Sequence, residues 1–189
     1  MLPMIIAPNE VLAQIAKPVG KIDASIKKLI DEMKETLDKT RDPEGVGLAA
    51  PQIGKSLQIF VTKPTRNAHH EVYINPVVTL NDTPLRQGFA GQAKRRREKA
   101  DGTKLEGCLS IPTIWGPVKR AESVSITYLD ETGKQKTEAV GGFKATILQH
   151  EYDHLHGILF PKRILEQKGK IYKSSKNEKG EDVFEEIEL

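Results

Sequence analysis

The 189-residue chain has a single cysteine, Cys108, so it cannot form an internal disulfide framework. One thiol fits a reducing compartment, and a cytoplasmic protein is expected, a mature organellar form being compatible as well. No apolar run approaches the ~18–20 residues needed to cross a bilayer, which excludes a membrane-spanning helix and leads us to expect no membrane partner. We expect no secretory leader either, since residues 1–7 are apolar but short, contain Pro3 and have no basic flank before them. Charge of one sign is also scarce. The net value of +3 is too small to argue that the whole chain binds nucleic acid, and no specific DNA binding is expected. What is present, 38% hydrophobic and 29% charged residues, is a globular composition with a polar surface.

The charge that exists is local. Between Arg86 and Lys104 stand Arg86, Lys94, Arg95, Arg96, Arg97, Lys99 and Lys104, opposed only by Glu98 and Asp101. Five acids and no base fall in residues 181–189. Such runs are usually solvated faces or loops.

Asp23 can cap a helix over residues 24–39, in which Ile26, Leu29, Ile30, Met33 and Leu37 share one face. Residues 42–45, Asp-Pro-Glu-Gly, break that pattern. Residues 57–62, 71–80 and 118–130 are rich in Val, Ile, Tyr and Thr and read as strands. Residues 131–134 make a hairpin turn into a further strand at 135–140. Gly141-Gly142 precede a last helix over residues 143–156, stopped by Gly157. The result is an α+β fold, mostly antiparallel strands around a central late helix. We expect one domain over residues 1–165 with a basic insertion at 81–104, read as a loop. Residues 166–189 form a charged C-terminal tail, of which 168–180 is either a hairpin or loose.

The late helix carries His150-Glu151-Tyr152-Asp153-His154, an H-E-x-x-H motif. Residues four apart stack on one helix face, so both imidazoles can reach one metal ion. Glu151 lies about 100° further round, near the ion without having to ligate it, where a carboxylate can take a proton from water. The plainer alternative is two ordinary surface histidines, but Ile147 and Leu148 just before the motif argue against full exposure.

Two histidines leave a catalytic site one protein ligand short. A metzincin protease would continue to a third histidine, and that position holds Phe160. A thermolysin-like protease would use a downstream glutamate, for which Glu166, Glu178 and Glu181 are available but on no convincing helix. Cys108, in Leu105-Glu106-Gly107-Cys108-Leu109-Ser110, is the remaining donor, although a lone cysteine is most often a small buried hydrophobe. The segment Gly45-Val46-Gly47-Leu48-Ala49-Ala50-Pro51-Gln52 lacks the spacing of a phosphate loop. It reads either as a small-residue turn entering a strand or as backbone lining a cleft, with Gln52 as an amide donor for an oxyanion.

These three segments, 45–52, 106–110 and 149–154, resemble the signature motifs of the peptide deformylases in order and spacing, and the resemblance extends over residues 8–165. It implies that Cys108, His150 and His154 bind a divalent metal, usually Fe²⁺, with Zn²⁺, Ni²⁺ or Co²⁺ also compatible with the ligand set. It further implies that Glu151 is general base and then acid, and that Gln52 and the Leu109 N–H hold the developing oxyanion. Backbone at Val46, Gly47 and Gly107 would receive the substrate as an added strand. The implied reaction removes the N-formyl group from the initiator methionine of nascent chains, releasing formate. The methionine side chain needs an apolar hole, for which Ile147, one turn before His150, is a natural lining residue. Trp115 and Gly116 depart from the usual polar or basic residues at the groove's rim. His156 reads as a capping or surface residue, and Asp153 as a supporting or salt-bridge residue, with Arg120 or a nearby lysine to pair with it or with Glu106.

Two other readings stay open at this level. One is a metallopeptidase with a structural Cys108. The other is an RNA- or ribosome-associated module using residues 94–99, and transient ribosome contact is also compatible with the deformylase reading.

Overall fold

Asp23 does cap the first helix: its carboxylate accepts from the backbone N–H of Ser25 and Ile26, satisfying two donors that a helix start leaves orphaned. Helix α1, Ala24–Lys39, buries Leu29, Ile30, Met33 and Leu37 along one stripe, each contributing roughly 1.5–3 kcal/mol by leaving water. The computed structural model describes residues 2–40, 44–81 and 103–188. Almost all of the basic insertion therefore lies outside the described residues.

Two antiparallel sheets make up the β part. The first runs in the order β1 (Gly47–Ala49), β2 (Ile59–Thr62), β3 (Glu71–Leu80), β6 (Ser123–Leu129), β7 (Gln135–Gly141). The second is β4 (Glu106–Cys108), β5 (Ile111–Gly116), β8 (Ile171–Lys176), β9 (Asp182–Ile187). Helix α2, Gly142–Leu155, packs on β1, β2 and β7, and the short helix α3, Phe160–Glu166, lies against β4. Gly157, at φ +66, ends α2; a side chain there would also run into the Ala13 backbone. No helix among the described residues is long and apolar enough to cross a membrane.

The α+β reading, with mostly antiparallel strands around the helix that carries His150 and His154, matches this architecture. The strand expected over 118–130 is shorter, beginning at Ser123, because Arg120 and Ala121 are drawn into side-chain bonds instead of a ladder. In the charged C-terminal segment the hairpin alternative holds: residues 171–187 form the β8–β9 hairpin. Its neighbouring residues Ile171 and Tyr172 are both buried, in different clusters, while its acids Glu185, Glu186 and Asp182 pair across to Lys173, Tyr172 and Lys176. Helix α3 was not foreseen, being only two turns long and carrying Pro161 in its first turn.

Candidate metal centre

Helix α2 is enclosed on nearly every side, and its buried set mixes Ala145, Ile147, Leu148 and Leu155 with Gln149, Glu151, Asp153 and His154. A helix that hides this many polar groups is held by specific partners, not by an apolar stripe alone. Gln149 anchors it to the chain before β6: its Oε1 accepts from Ala121 N–H and its Nε2 donates to Ala121 and Ala145 carbonyls, all at 2.9 Å.

One turn apart on α2, His150 and His154 meet Cys108 of β4, and the three ligand atoms all lie within 4.8 Å of one another. Cys108 Sγ is 3.2 Å from His154 Nε2. The sulfur also accepts from Ser110 N–H and from Gln52 Nε2, each at 3.4 Å. No downstream glutamate joins this group among the described residues; Glu166 pairs with Arg163 instead. Thiolate with two imidazoles is a donor set suited to a divalent transition metal.

Further residues set the orientation. Glu106, two before Cys108 and so on the same face of β4, accepts from His150 Nδ1 at 2.7 Å and leaves Nε2 for the centre. Arg120 holds Glu106 through two bonds, 2.7 and 3.2 Å, and reaches Asp153 at 2.6 Å. Arg163 grips Asp153 from the other side at 2.6 and 3.1 Å. Burial alone would push the Glu106 carboxyl up, but the His150 hydrogen bond and the charges of His150 and Arg120 outweigh it and hold it at about 2. Of the cations left open for Asp153 and Glu106, it is Arg120 that pairs, and it takes both carboxylates. His156 caps the helix, its Nδ1 on the Tyr152 carbonyl.

Glu151 is 3% exposed and its Oε2 has no hydrogen-bond partner. Desolvation raises its carboxyl to about 7, the range in which a carboxylate exchanges protons at neutral pH. It packs against Gly47, where any side chain would collide with it. His154 Nδ1 is likewise buried and unpartnered, and burial, followed by the neighbouring His150, lowers the His154 imidazole well below its usual value.

Gln52 sits in the 3₁₀ turn Ala50–Ile53, which Pro51 starts and Gly54, at φ +76, ends. Its Oε1 accepts from Ala49 N–H at 2.9 Å, which turns Nε2 toward Cys108 and Ser110. Leu109 follows the ligand in the β4–β5 turn and packs toward the α1 cluster. The Val46 carbonyl accepts from Lys63 N–H at 2.8 Å. Alternation in an antiparallel pair then turns the Gly47 backbone away from β2. Among the described strands β1 pairs only with β2 and β4 only with β5, so each leaves one edge open. Ile147 is buried at 3% exposure, one turn before His150.

Sequence reasoning did not single out Glu106 as the partner of His150, nor Ser110 or Arg163. For Glu106 the signal existed, a carboxylate at period two from the cysteine. Arg163 had none, because its partner Asp153 lies across the α2–α3 turn.

Comparison with known proteins gives one consistent result. The family described as polypeptide deformylase matches residues 1–170. The peptide deformylase of Mesorhizobium japonicum is 39% identical over 161 residues, covering 84% of this chain and 81% of that protein. Among solved structures, the peptide deformylase of Thermotoga maritima superposes with a TM-score of 0.70 at 32% identity, covering 86% of this chain and 97% of the other. That of Synechococcus elongatus, solved in complex with actinonin, gives 0.68 at 33% identity, covering 86% and 78%.

Proposed function

The chain belongs to the polypeptide deformylase family, and on that premise we propose how its residues divide the work of a metal-dependent hydrolase that removes the N-formyl group from nascent peptides. The observation that carries the assignment is the Cys108–His150–His154 cluster with the buried, unpartnered Glu151 oxygen beside it. Cys108 Sγ, His150 Nε2 and His154 Nε2 would hold the ion, and Fe²⁺ is our choice, with Zn²⁺, Ni²⁺ and Co²⁺ compatible with the same donors. A bound divalent cation supplies Lewis acidity and brings the pKa of water toward ~7.

Glu151 takes the proton from the attacking water and passes it to the departing amine. Gln52 Nε2, already fixed by the Ala49 bond, and the Leu109 N–H donate to the oxygen that gains charge as the formyl carbon becomes tetrahedral. A peptide entering as an extended strand would add to the open edges of β1 and β4, with Gly47 and Gly107 as its backbone partners. Val46, its carbonyl held by Lys63, contributes through its conformation. Ile147 lines the hole for the methionine side chain.

We further assign the enzyme to the cytoplasm, acting on formyl-methionyl nascent chains during transient contact with the ribosome through the basic residues 94–99. Deleting residues 92–99 should weaken salt-sensitive ribosome binding, and unchanged binding removes that part. The reaction itself is tested by formate release from a formyl-Met tripeptide, using protein purified anaerobically with Fe²⁺. An unformylated peptide with internal bonds is the control. Formate from the first and no cleavage of the second is the expected result; cleavage of the second, or silence on the first with metal bound, overturns the assignment.

A further inference from the structure

The family match ends at residue 170, one residue before β8 begins. The hairpin beyond it meets the metal-centre strand on two sides: Ile171 and Ile187 share a cluster with Cys108, Phe160 and Ile164, and Trp115 ties the hairpin to Gly107. The indole is buried in a cluster with Leu105 and Tyr172, and Phe184 packs against it. Its Nε1–H donates to Ser174 Oγ at 3.0 Å, and the Phe184 ring meets it edge-on with centroids 6.2 Å apart. Trp115 also lies opposite Tyr172 in the β5–β8 ladder.

The other side of the ring faces β4, where Trp115 is the register partner of Gly107. A Cβ on Gly107 would stand 2.5 Å from Trp115 Cζ3 and 2.9 Å from Cη2, so the ring fills the space a side chain would take. Side chains alternate along a strand. Glu106 and Cys108 point to His150 and His154, and Gly107 turns its open face to the indole. Strand β4 is thus held between the histidines in front and Trp115 behind. Three residues with one ladder partner would otherwise be a loose edge.

We propose that the β8–β9 hairpin acts through Trp115 as the positioning element for β4, fixing the Gly107 edge that receives an extended peptide and the placement of Cys108 beside it. The peptide half of this inference rests on the deformylase assignment; the strand half does not. Trp115 touches no reacting atom. Its effect is on how well a long substrate seats and on how often β4 opens.

The test uses the metal-loaded full chain with Trp115→Ala, Trp115→Phe, Ser174→Ala and Phe184→Ala. Amide hydrogen exchange of the peptide spanning residues 105–109 is read beside KM and kcat on a formyl-Met tripeptide. Trp115→Ala should speed that exchange about tenfold and raise KM about tenfold with a smaller change in kcat, the size of effect expected from losing local packing. Ser174→Ala, losing one buried hydrogen bond, should move both by about threefold to fivefold in the same direction, with Phe184→Ala at least as large. Trp115→Phe keeps a ring behind Gly107 and should restore most of the loss. Val124→Ala, in a different part of the core, controls for global destabilisation and should move neither readout beyond its change in Tm. If the Ser174 and Phe184 variants match Val124→Ala in both readouts, the proposal falls, whether or not Trp115→Ala folds. If the unaltered protein releases no formate, the deformylase assignment falls, and the exchange measurement still judges the hairpin.

Discussion

Gly47 of β1 and Glu151 of α2 share one space: a Cβ on Gly47 would lie 2.7 Å from Glu151 Cδ and closer still to Oε1. The glycine therefore lets β1 pass directly against the carboxylate. Gly47→Ala must either push the carboxylate aside or move the strand. Because a displacement of about 1 Å can cost ~10²-fold in rate, we expect kcat/KM to fall by about that factor. Metal content should stay at one ion, since no proposed ligand is touched. Metal analysis beside formate release checks both parts, and unchanged activity in the variant would show that the carboxylate has room to relax.

Glu151→Gln removes the proton acceptor while keeping size and shape. The variant should bind metal normally and lose about 10²–10⁴-fold in turnover, the range for a positioned acid–base group. Full turnover would take the proton transfer away from this residue.

Much of this centre was legible in the sequence because it rests on short-range rules. The four-residue spacing of His150 and His154 needs only a helix, and the Asp23 cap and the stripe from Leu29 to Leu37 are equally local. What escaped depends on contacts far apart in sequence. Glu106 reaches His150 across 44 positions, and Trp115 reaches Ser174 across 59. The C-terminal hairpin was left undecided by its charge: Lys173, Lys176, Asp182 and Glu185 suit a solvated tail as well as a hairpin, and as cross-strand partners they decorate the outside of a ladder. The mixed burial of α2 was hidden for a related reason. An inward-facing Gln149 or Asp153 breaks the apolar stripe unless Ala121 and Arg120 are known to meet it.

Glu106 orients His150 and bears the negative charge that balances Arg120. Glu106→Gln keeps an oxygen for His150 but loses that charge. Outer partners of this kind typically carry ~10–100-fold in metal affinity, and a loss in that range is expected by competition with a chromophoric chelator. An unchanged affinity would mean that His150 is oriented by packing alone.

The same carboxylate sets an acid limit. Its folded pKa of about 2 lies below the ordinary 4.5, so the folded state binds fewer protons there than the unfolded chain. The contribution to stability is present in full above about pH 4.5 and is lost as pH falls toward 2. Urea unfolding of metal-free protein between pH 6 and 3 should show this decline, and it should be shallower in Glu106→Gln. Parallel curves for the two proteins would assign acid unfolding to other groups.

Arg120 is the charge on which the whole network closes. Its side chain is 8% exposed and it serves two carboxylates, Glu106 at 11% and Asp153 at 8%. Replacing it with methionine conserves much of the stem's packing but, among the described residues, leaves Glu106 to pair with His150 and Asp153 with Arg163. Breaking a buried ion pair by removing one partner costs about 3–5 kcal/mol, because the abandoned charge stays out of water. Arg163 still holds Asp153, so the lower half of that range is expected for Arg120→Met, read from denaturant midpoints at neutral pH. The double variant Arg120→Met with Glu106→Gln should recover part of the loss, since it removes the stranded charge along with its partner. Additive destabilisation in that cycle would instead mean that the two residues act independently and that Arg120 matters chiefly for its bond to Asp153.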